Sequence, residues 1–555
     1  MKATSVRRYP ARRYPARRYP GLVQLHWRDM ALAALKSRGL EFLRTASGRA
    51  VIAFFLLSGL YKLVPVVFSD LVPFDSDEAV LGLMARHLAQ GDFPRFAYGQ
   101  TYGGGFEALL AGALERILPS GIYVFRLAAA VLAFATECFF YRALAATTTS
   151  RPARIAATAM LTLGGMTYPR FMSHLYGIHL NNSFIFASLL AWSSDLRTLP
   201  RRTFFVGLWI GIGHWVSPFV WVFVLCLLLA RARQWRGLRA MTLRQVLLLT
   251  VGFAIGALPR IVHSYSPASW YAPYQAGGFA MVGASAIPRR TMDLVFETLP
   301  RYFFGELHSL GTVGTVAVAM GAGVAVVLLV VAAVTCLRDW RQRREPAFVP
   351  ATIFLLAGSS VALVVLNRLV FDDGSRYLWP FQFAVALAWV MALTRLKTAR
   401  PSPRTLHAVF RPLPFAVISM PFLFGALSLF LAQRGDAQRY GTPLKRAIAA
   451  QALWQGCRVG VADYWYGYSL SLLTQEELRL APIYTPRILS YAQAARDAMV
   501  AGTRYCAVLD LSNQAQVVEP NRRLYQLLQP KAERIYRYPG SIVLLVLGAP
   551  PAKGG

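Results

Sequence analysis

The sequence is dominated by a ladder of apolar segments, running approximately over 50–69, 120–144, 153–169, 178–195, 203–230, 244–262, 309–337, 347–366, 376–394 and 412–432. Most reach the length of about 20 residues that a helix needs to cross roughly 30 Å of hydrocarbon. Lipid offers no partner for backbone N–H and C=O groups, so a chain built this way must satisfy them within each segment, as helices. Composition agrees, with 55% of the residues hydrophobic and 15% charged.

The loops between segments sort by charge. Arginines cluster at 142, 151 and 154, at 197, 201 and 202, from 231 to 244 and from 338 to 344, and Arg395, Lys397, Arg400, Arg404 and Arg411 form the last group. Cytoplasmic loops concentrate such residues, which places all five groups on the inner side of a bacterial-type inner membrane. The N-terminal tail joins them. Its RRYPARRYPARRYP repeat cannot continue a helix through proline, so residues 1–49 read as a disordered basic tail. Its expected partner is the anionic lipid surface rather than nucleic acid.

This sorting forces one inference. Segment 203–230 has basic loops at both ends and must enter and leave on the same side. The run His214-Trp215-Val216-Ser217-Pro218 marks the turn, and two helices of about 13 residues each are too short for a full crossing. They are expected to meet inside the protein, with His214 toward the outer side, either near the site or equally bonded to backbone freed by Pro218. Counting the pair as two gives about 11 passes, N-terminus inside and C-terminus outside. The predicted architecture is an α-helical polytopic membrane domain over 50–435 with outer loops 70–119 and 263–308, followed by a small extracytoplasmic α/β domain over 436–555. Strands are expected in RVGVADY, RLAPIY, RYCAVLDL and SIVLLVL, and helix in QEEL and ILSYAQAARDAMV. On that outer side a Cys457–Cys506 disulfide is permitted but not required.

One outer stretch, Phe74 to Glu107, carries most of the chemistry. Asp75, Asp77 and Glu78 precede apolar positions Val80, Leu81, Leu83, Met84 and Leu88, which predicts an amphipathic helix on the membrane face, capped by Ser76. Tyr98, Gln100 and Tyr102 follow as candidate sugar contacts, and Gly103 to Gly105 would let backbone approach a ligand. Other outer helix ends hold His179 and Asn181, and Arg376 with Tyr377. Each also has a plain structural reading: helix-capping acids, interfacial aromatics, a hydrogen-bonded histidine, a snorkelling arginine.

DSDEAVLGLMARHLAQGDFP, YGQTYGGGFEALLAGAL, YGIHL and RYLWP, taken in order, resemble the GT-C superfamily of integral-membrane glycosyltransferases. The likeness is to the branch with the protein O-mannosyltransferases and the bacterial lipid A aminoarabinose transferase. GVADYWYGYSLSLL also looks like the soluble end of bacterial members. The resemblance implies a sugar donor carried on a polyprenyl phosphate and transfer with inversion on the extracytoplasmic face. It matches Asp77 to the proposed catalytic aspartate and Glu78 to its partner, with Asp75 as a second candidate. In some relatives a divalent metal lies near the acids, which His179 with Asp77 or Glu78 could hold.

The chemistry is self-consistent. A phosphate leaves as a stable anion without a general acid, so one carboxylate suffices as base for the acceptor hydroxyl or amine. Arg376 suits the departing phosphate. The acceptor, whether protein, lipid or polysaccharide, is open. A competing class, a transporter or flippase of lipid-linked saccharides, predicts a second pair of broken helices, and a non-catalytic scaffold predicts acids facing open water.

Overall fold

The computed structural model describes residues 45–70, 74–93, 98, 103–163, 174, 178–194, 200–231, 242–263, 282–299, 329–330, 332–338, 341, 348–366, 378–398, 441–483, 486–512 and 518–548. Contacts divide the chain into residues 1–56 and 57–555. The first unit contributes the opening turns of helix α1 (Ala46–Val67), which begins inside the predicted tail boundary. The rest of the tail lies outside the described residues.

Among the described residues of the second unit, α2 (Ser76–Gln90) and α3 (Phe106–Glu115) of the first loop are followed by α4 (Ile122–Ala143), α5 (Arg151–Leu163), α6 (Ile178–Ser193), α7 (Pro200–Val216), α8 (Val220–Arg231) and α9 (Leu243–His263). A short α10 (Ile287–Asp293) precedes α11 (Phe348–Leu366) and α12 (Trp379–Thr398). Among the described residues, four helices, beginning at Ala46, Ile122, Leu243 and Phe348, are long and apolar enough to cross a membrane. The expected segments 412–432 and most of 309–337 lie outside the described residues.

The predicted break in 203–230 is present. Helix α7 has 17 residues and α8 has 12, joined through Ser217 to Phe219. Their lengths, about 26 and 18 Å at 1.5 Å per residue, make α7 longer than expected and leave α8 short of a full crossing. The freed carbonyls at the end of α7 are occupied: Arg260 Nη1 donates to His214 O (3.1 Å) and the Gly104 N–H to Val216 O (3.0 Å). His214 itself accepts from the Trp221 indole N–H at 3.2 Å rather than bonding backbone.

Helices α7 and α9 pack backbone to backbone. Gly207-x-x-x-Gly211 faces Gly252-x-x-x-Gly256, and a Cβ at any of the four would collide with a carbonyl of the opposite helix, at Leu249, Phe253, Phe204 or Leu208. Gly207 meets Leu249 and Gly211 meets Phe253, so both numbers rise together and the helices run parallel. Parallel α7 and α9 with one helix between them require that helix to return, in agreement with the charge-based reading. Small residues drive such association in lipid, where helix contacts gain no hydrophobic effect. The opposite stripe of α9, Leu247, Val251, Ile255 and Leu258, is about half exposed, the pattern of a lipid-facing surface. Replacing Gly211 with leucine should wedge the helices apart and cost about 1–3 kcal/mol. The thermal midpoint in detergent should fall, whereas Ile255→Ala on the lipid stripe should leave it nearly unchanged.

Two further devices knit the helices. Phe186, Phe223, Trp379 and Phe383 form a knot with centroids 5.3–5.8 Å apart, each such pair adding about 0.5–1.5 kcal/mol beyond burial. Glu137 on α4 takes an ion pair from Lys62 and hydrogen bonds from Ser58 (2.5 Å) and Thr162 (2.6 Å), clamping α1, α4 and α5 with a satisfied buried charge.

The C-terminal residues form α13 (Thr442–Trp454), β1 (Val459–Ala462), α14 (Tyr464–Leu473), β2 (Arg479–Pro482), α15 (Leu489–Ala501), β3 (Tyr505–Asp510), α16 (Val518–Leu528), β4 (Ala532–Tyr538) and β5 (Ile542–Leu547). The sheet order is β2-β1-β3-β5-β4, with β2, β1 and β3 parallel and β5 antiparallel to both β3 and β4. The four expected strands are present. The edge strand β4 was not anticipated, because its sequence AERIYRY puts charges where only one face is covered. QEEL is a turn and not a helix: Gln475 and Glu476 both have positive φ (52° and 66°), a left-handed pair that no helix continues through. Cys457 and Cys506 are disulfide-bonded, with Cα atoms 6.0 Å apart.

Candidate active site

The three acids at the head of α2 part company. Asp75 has extended backbone, and its carboxylate accepts the Glu78 N–H at 2.9 Å, so Asp75 is the N-cap. The expected cap, Ser76, is instead a buried residue of the first turn. Glu78 is fully buried and pairs with the equally buried Arg126 of α4, whose Nε donates to Oε1 and Nη2 to Oε2, both at 3.4 Å. Arg126 also donates to the Ser69 carbonyl at 2.9 Å. Asp77 keeps a side chain 34% exposed.

Helix α2 does not lie on a membrane surface as expected. Ala79 to Ala85 are all buried, because α3 and α4 cover one side and the C-terminal layer covers the other. Gly82 shows how close that cover is: a Cβ there would run into Leu472 of α14 and Phe125 of α4. Three polar ties follow the helix. At its head, Tyr464 Oη donates to Asp77 Oδ1 at 2.5 Å and Arg487 Nη2 to the same oxygen at 3.1 Å, with the guanidinium 5.2 Å from the Tyr464 ring centre. Just before it, the fully buried Lys445 donates to the carbonyls of Phe74 and Trp465 (3.0 Å to the latter). Burial lowers that ammonium to about 8, against the upward pull of Asp75, Glu78 and Asp463. At its end, His87 sits between the Tyr98 hydroxyl and Glu476, which also accepts from Tyr491 Oη at 2.5 Å. The hydrogen bonds from His87 and Tyr491 outweigh desolvation and hold the Glu476 carboxyl below its usual range.

Other predicted site residues are placed differently. Tyr98 is 1% exposed and spends its hydroxyl on His87, so it is a buried tie and not a ring offered to a sugar. His179 and Asn181 lie in the first turn of α6, 7% and 0% exposed, and Asp77 makes its polar contacts with Tyr464 and Arg487 instead of with them. Gln100, Tyr102, Arg376 and Tyr377 lie outside the described residues. Two glycines of the run pack on protein: Gly104 lies against the Trp215 indole and carbonyl, with no room for a Cβ, and Gly105 lies against the end of the Met84 side chain. Glu78 is committed to Arg126, and among the described residues no three His, Cys, Asp or Glu side chains cluster to hold a metal ion.

No family model matches this sequence, and no curated protein matches it. Solved structures do. ArnT from Cupriavidus metallidurans bound to undecaprenyl phosphate superposes with a TM-score of 0.57 at 14% identity, covering 90% of this chain and 98% of that one. Its apo state gives 0.57 at 15% identity with the same coverage. The chain shares the fold of these two structures. An archaeal oligosaccharyltransferase, AglB from Archaeoglobus fulgidus in complex with an inhibitory peptide and a dolichol-phosphate, gives 0.48 at 11% identity over 90% of this chain and 74% of that one.

Within this fold, Tyr464, Arg487, Lys445, His87, Arg126 and Glu476 are the residues that sequence reasoning missed around the acids. One signal was present. GVADYWYGYSLSLL, noted for its resemblance, puts Tyr464 directly after a strand and an acidic N-cap, Asp463, whose carboxylate accepts the Trp465 N–H at 3.0 Å. A tyrosine at such a strand-to-helix corner sits at the rim of a sheet, where parallel α/β layers present side chains to ligands.

Proposed function

We propose that this protein is a membrane glycosyltransferase that moves a sugar from a polyprenyl-phosphate donor to an acceptor hydroxyl or amine on the extracytoplasmic face, with inversion, and with Asp77 as the base. The observation that carries it is the division of labour among the acids. Asp75 is occupied as a cap and Glu78 as a buried ion pair, while Asp77 keeps one carboxylate oxygen without a hydrogen-bond partner among the described residues. In the step, the acceptor oxygen or nitrogen bonds to the anomeric carbon and the carbon–oxygen bond to phosphate breaks. The electron pair leaves with the polyprenyl phosphate, and the acceptor proton passes to Asp77. Arg376, from its place in the sequence, is the residue we assign to the leaving phosphate. The disulfide between Cys457 and Cys506 supports an oxidising compartment for the C-terminal layer.

Membranes containing the protein, supplied with a panel of radiolabelled polyprenyl-phosphate sugars, test the reading. One lipid should lose label to an acceptor, and the labelled species would identify donor and acceptor together. Retention of label by every lipid in the panel, with folded protein present, would overturn it.

A further inference from the structure

Both polar contacts of Asp77 fall on Oδ1, and both come from the C-terminal layer. A carboxylate at a helix start turns freely about two bonds unless something holds it. Here a hydroxyl and a guanidinium hold one oxygen, which turns the other away from them. We propose that Tyr464 and Arg487 are positioning residues that lock the Asp77 carboxylate with Oδ2 toward the acceptor, so that the C-terminal layer builds half of the reaction centre.

The two donors are themselves fixed. Tyr464 opens α14, and its ring packs edge-on against Trp465 and Tyr468. Burial and the negative charge of Asp77 hold its phenol well above the usual range, so it stays a proton donor at any working pH. Arg487 belongs to the loop before α15, and that loop is shaped by Tyr468, whose hydroxyl accepts the N–H groups of Arg487 (2.5 Å) and Ile488 (3.1 Å). Asn521 ties the corner to the sheet, donating to Asp463 Oδ2 at 2.8 Å and to the Asp510 carbonyl at 3.0 Å. Lys445 and the His87–Glu476 pair grip α2 before and after Asp77, so the layer cannot slide along the helix without breaking three ties. A base must stand within hydrogen-bond reach of the proton it takes, and a rigid frame on one oxygen supplies that reach for the other.

This inference rests on Asp77 being the base, and the test separates the two. Tyr464→Phe, Arg487→Lys and Arg487→Gln are compared with the full-length parent in steady-state transfer from a radiolabelled polyprenyl-phosphate sugar, with undecaprenyl phosphate binding and the melting midpoint measured alongside. Loss of positioning should lower kcat about 100-fold in Tyr464→Phe and Arg487→Gln. The KM for the lipid donor, undecaprenyl phosphate binding and the midpoint should stay near parental values, and Arg487→Lys, which keeps the charge, should recover part of kcat. Parental kcat in Tyr464→Phe would overturn the proposal, as would a raised KM at unchanged kcat, which marks substrate contact. An inactive parent protein would instead sink the glycosyltransferase reading itself.

Discussion

Asp77→Asn should lower sugar transfer about 1,000-fold while the protein still inserts and folds, in the middle of the range of about 100- to 10,000-fold that a positioned base contributes. Asparagine has the shape of aspartate and can still accept the Tyr464 hydroxyl on its amide oxygen, so the frame around it persists. It cannot take a proton. The neighbouring acids give the control. Asparagine caps a helix about as well as aspartate, so Asp75→Asn should leave transfer within a few-fold of the parent. Transfer assays on purified, monodisperse variants decide the matter: an active Asp77→Asn, or an equally inactive Asp75→Asn, would remove Asp77 from the centre of the mechanism.

The largest effect on stability should come from the partner of Glu78. Arg126→Met should destabilise the fold by about 3–5 kcal/mol, because it strands a carboxylate in a dry interior. The Ser69 carbonyl loses its donor as well. Replacing both charges, Arg126→Met with Glu78→Met, should recover most of the loss, since a buried pair exchanged for apolar side chains of similar size is often neutral. Melting midpoints in detergent would show a large drop for the single variant and a small one for the double. A single variant that melts with the parent would mean that Glu78 finds water or another donor.

The acids on α2 illustrate how much was legible. Their grouping before a helical apolar pattern identified the chemically equipped loop, and the helix forms where the spacing placed it. Which acid does what was not legible. Capping by Asp75 turns on one dihedral, and the commitment of Glu78 turns on Arg126, 48 positions away. The site's other wall is more remote still: Tyr464 and Arg487 stand 387 and 410 positions from Asp77, and no local period or propensity encodes such a meeting. Tyr98 shows the reverse error. Its place beside an outer loop suggested a sugar platform, yet a histidine one helix end away takes its hydroxyl inside the protein.

The broken helix at Pro218 was readable because two local facts converged, arginines at both ends and a helix-breaking residue in the middle. The parallel packing of α7 on α9 was half readable: both glycine motifs stand in the sequence, but which helix faces which depends on the whole bundle.

By itself, then, the amino-acid order determined which segments are apolar enough for lipid, which loops are basic, where one helix must break and which loop gathers three acids, since each follows from hydrophobicity, charge and backbone sterics over a few turns. Only the tertiary structure decided that Asp75 caps the helix, that Glu78 pairs with Arg126 and that a C-terminal tyrosine and arginine hold one oxygen of Asp77. Burial, ion pairing and side-chain orientation depend on what packs against a residue from hundreds of positions away, and that information exists only once the chain has closed on itself.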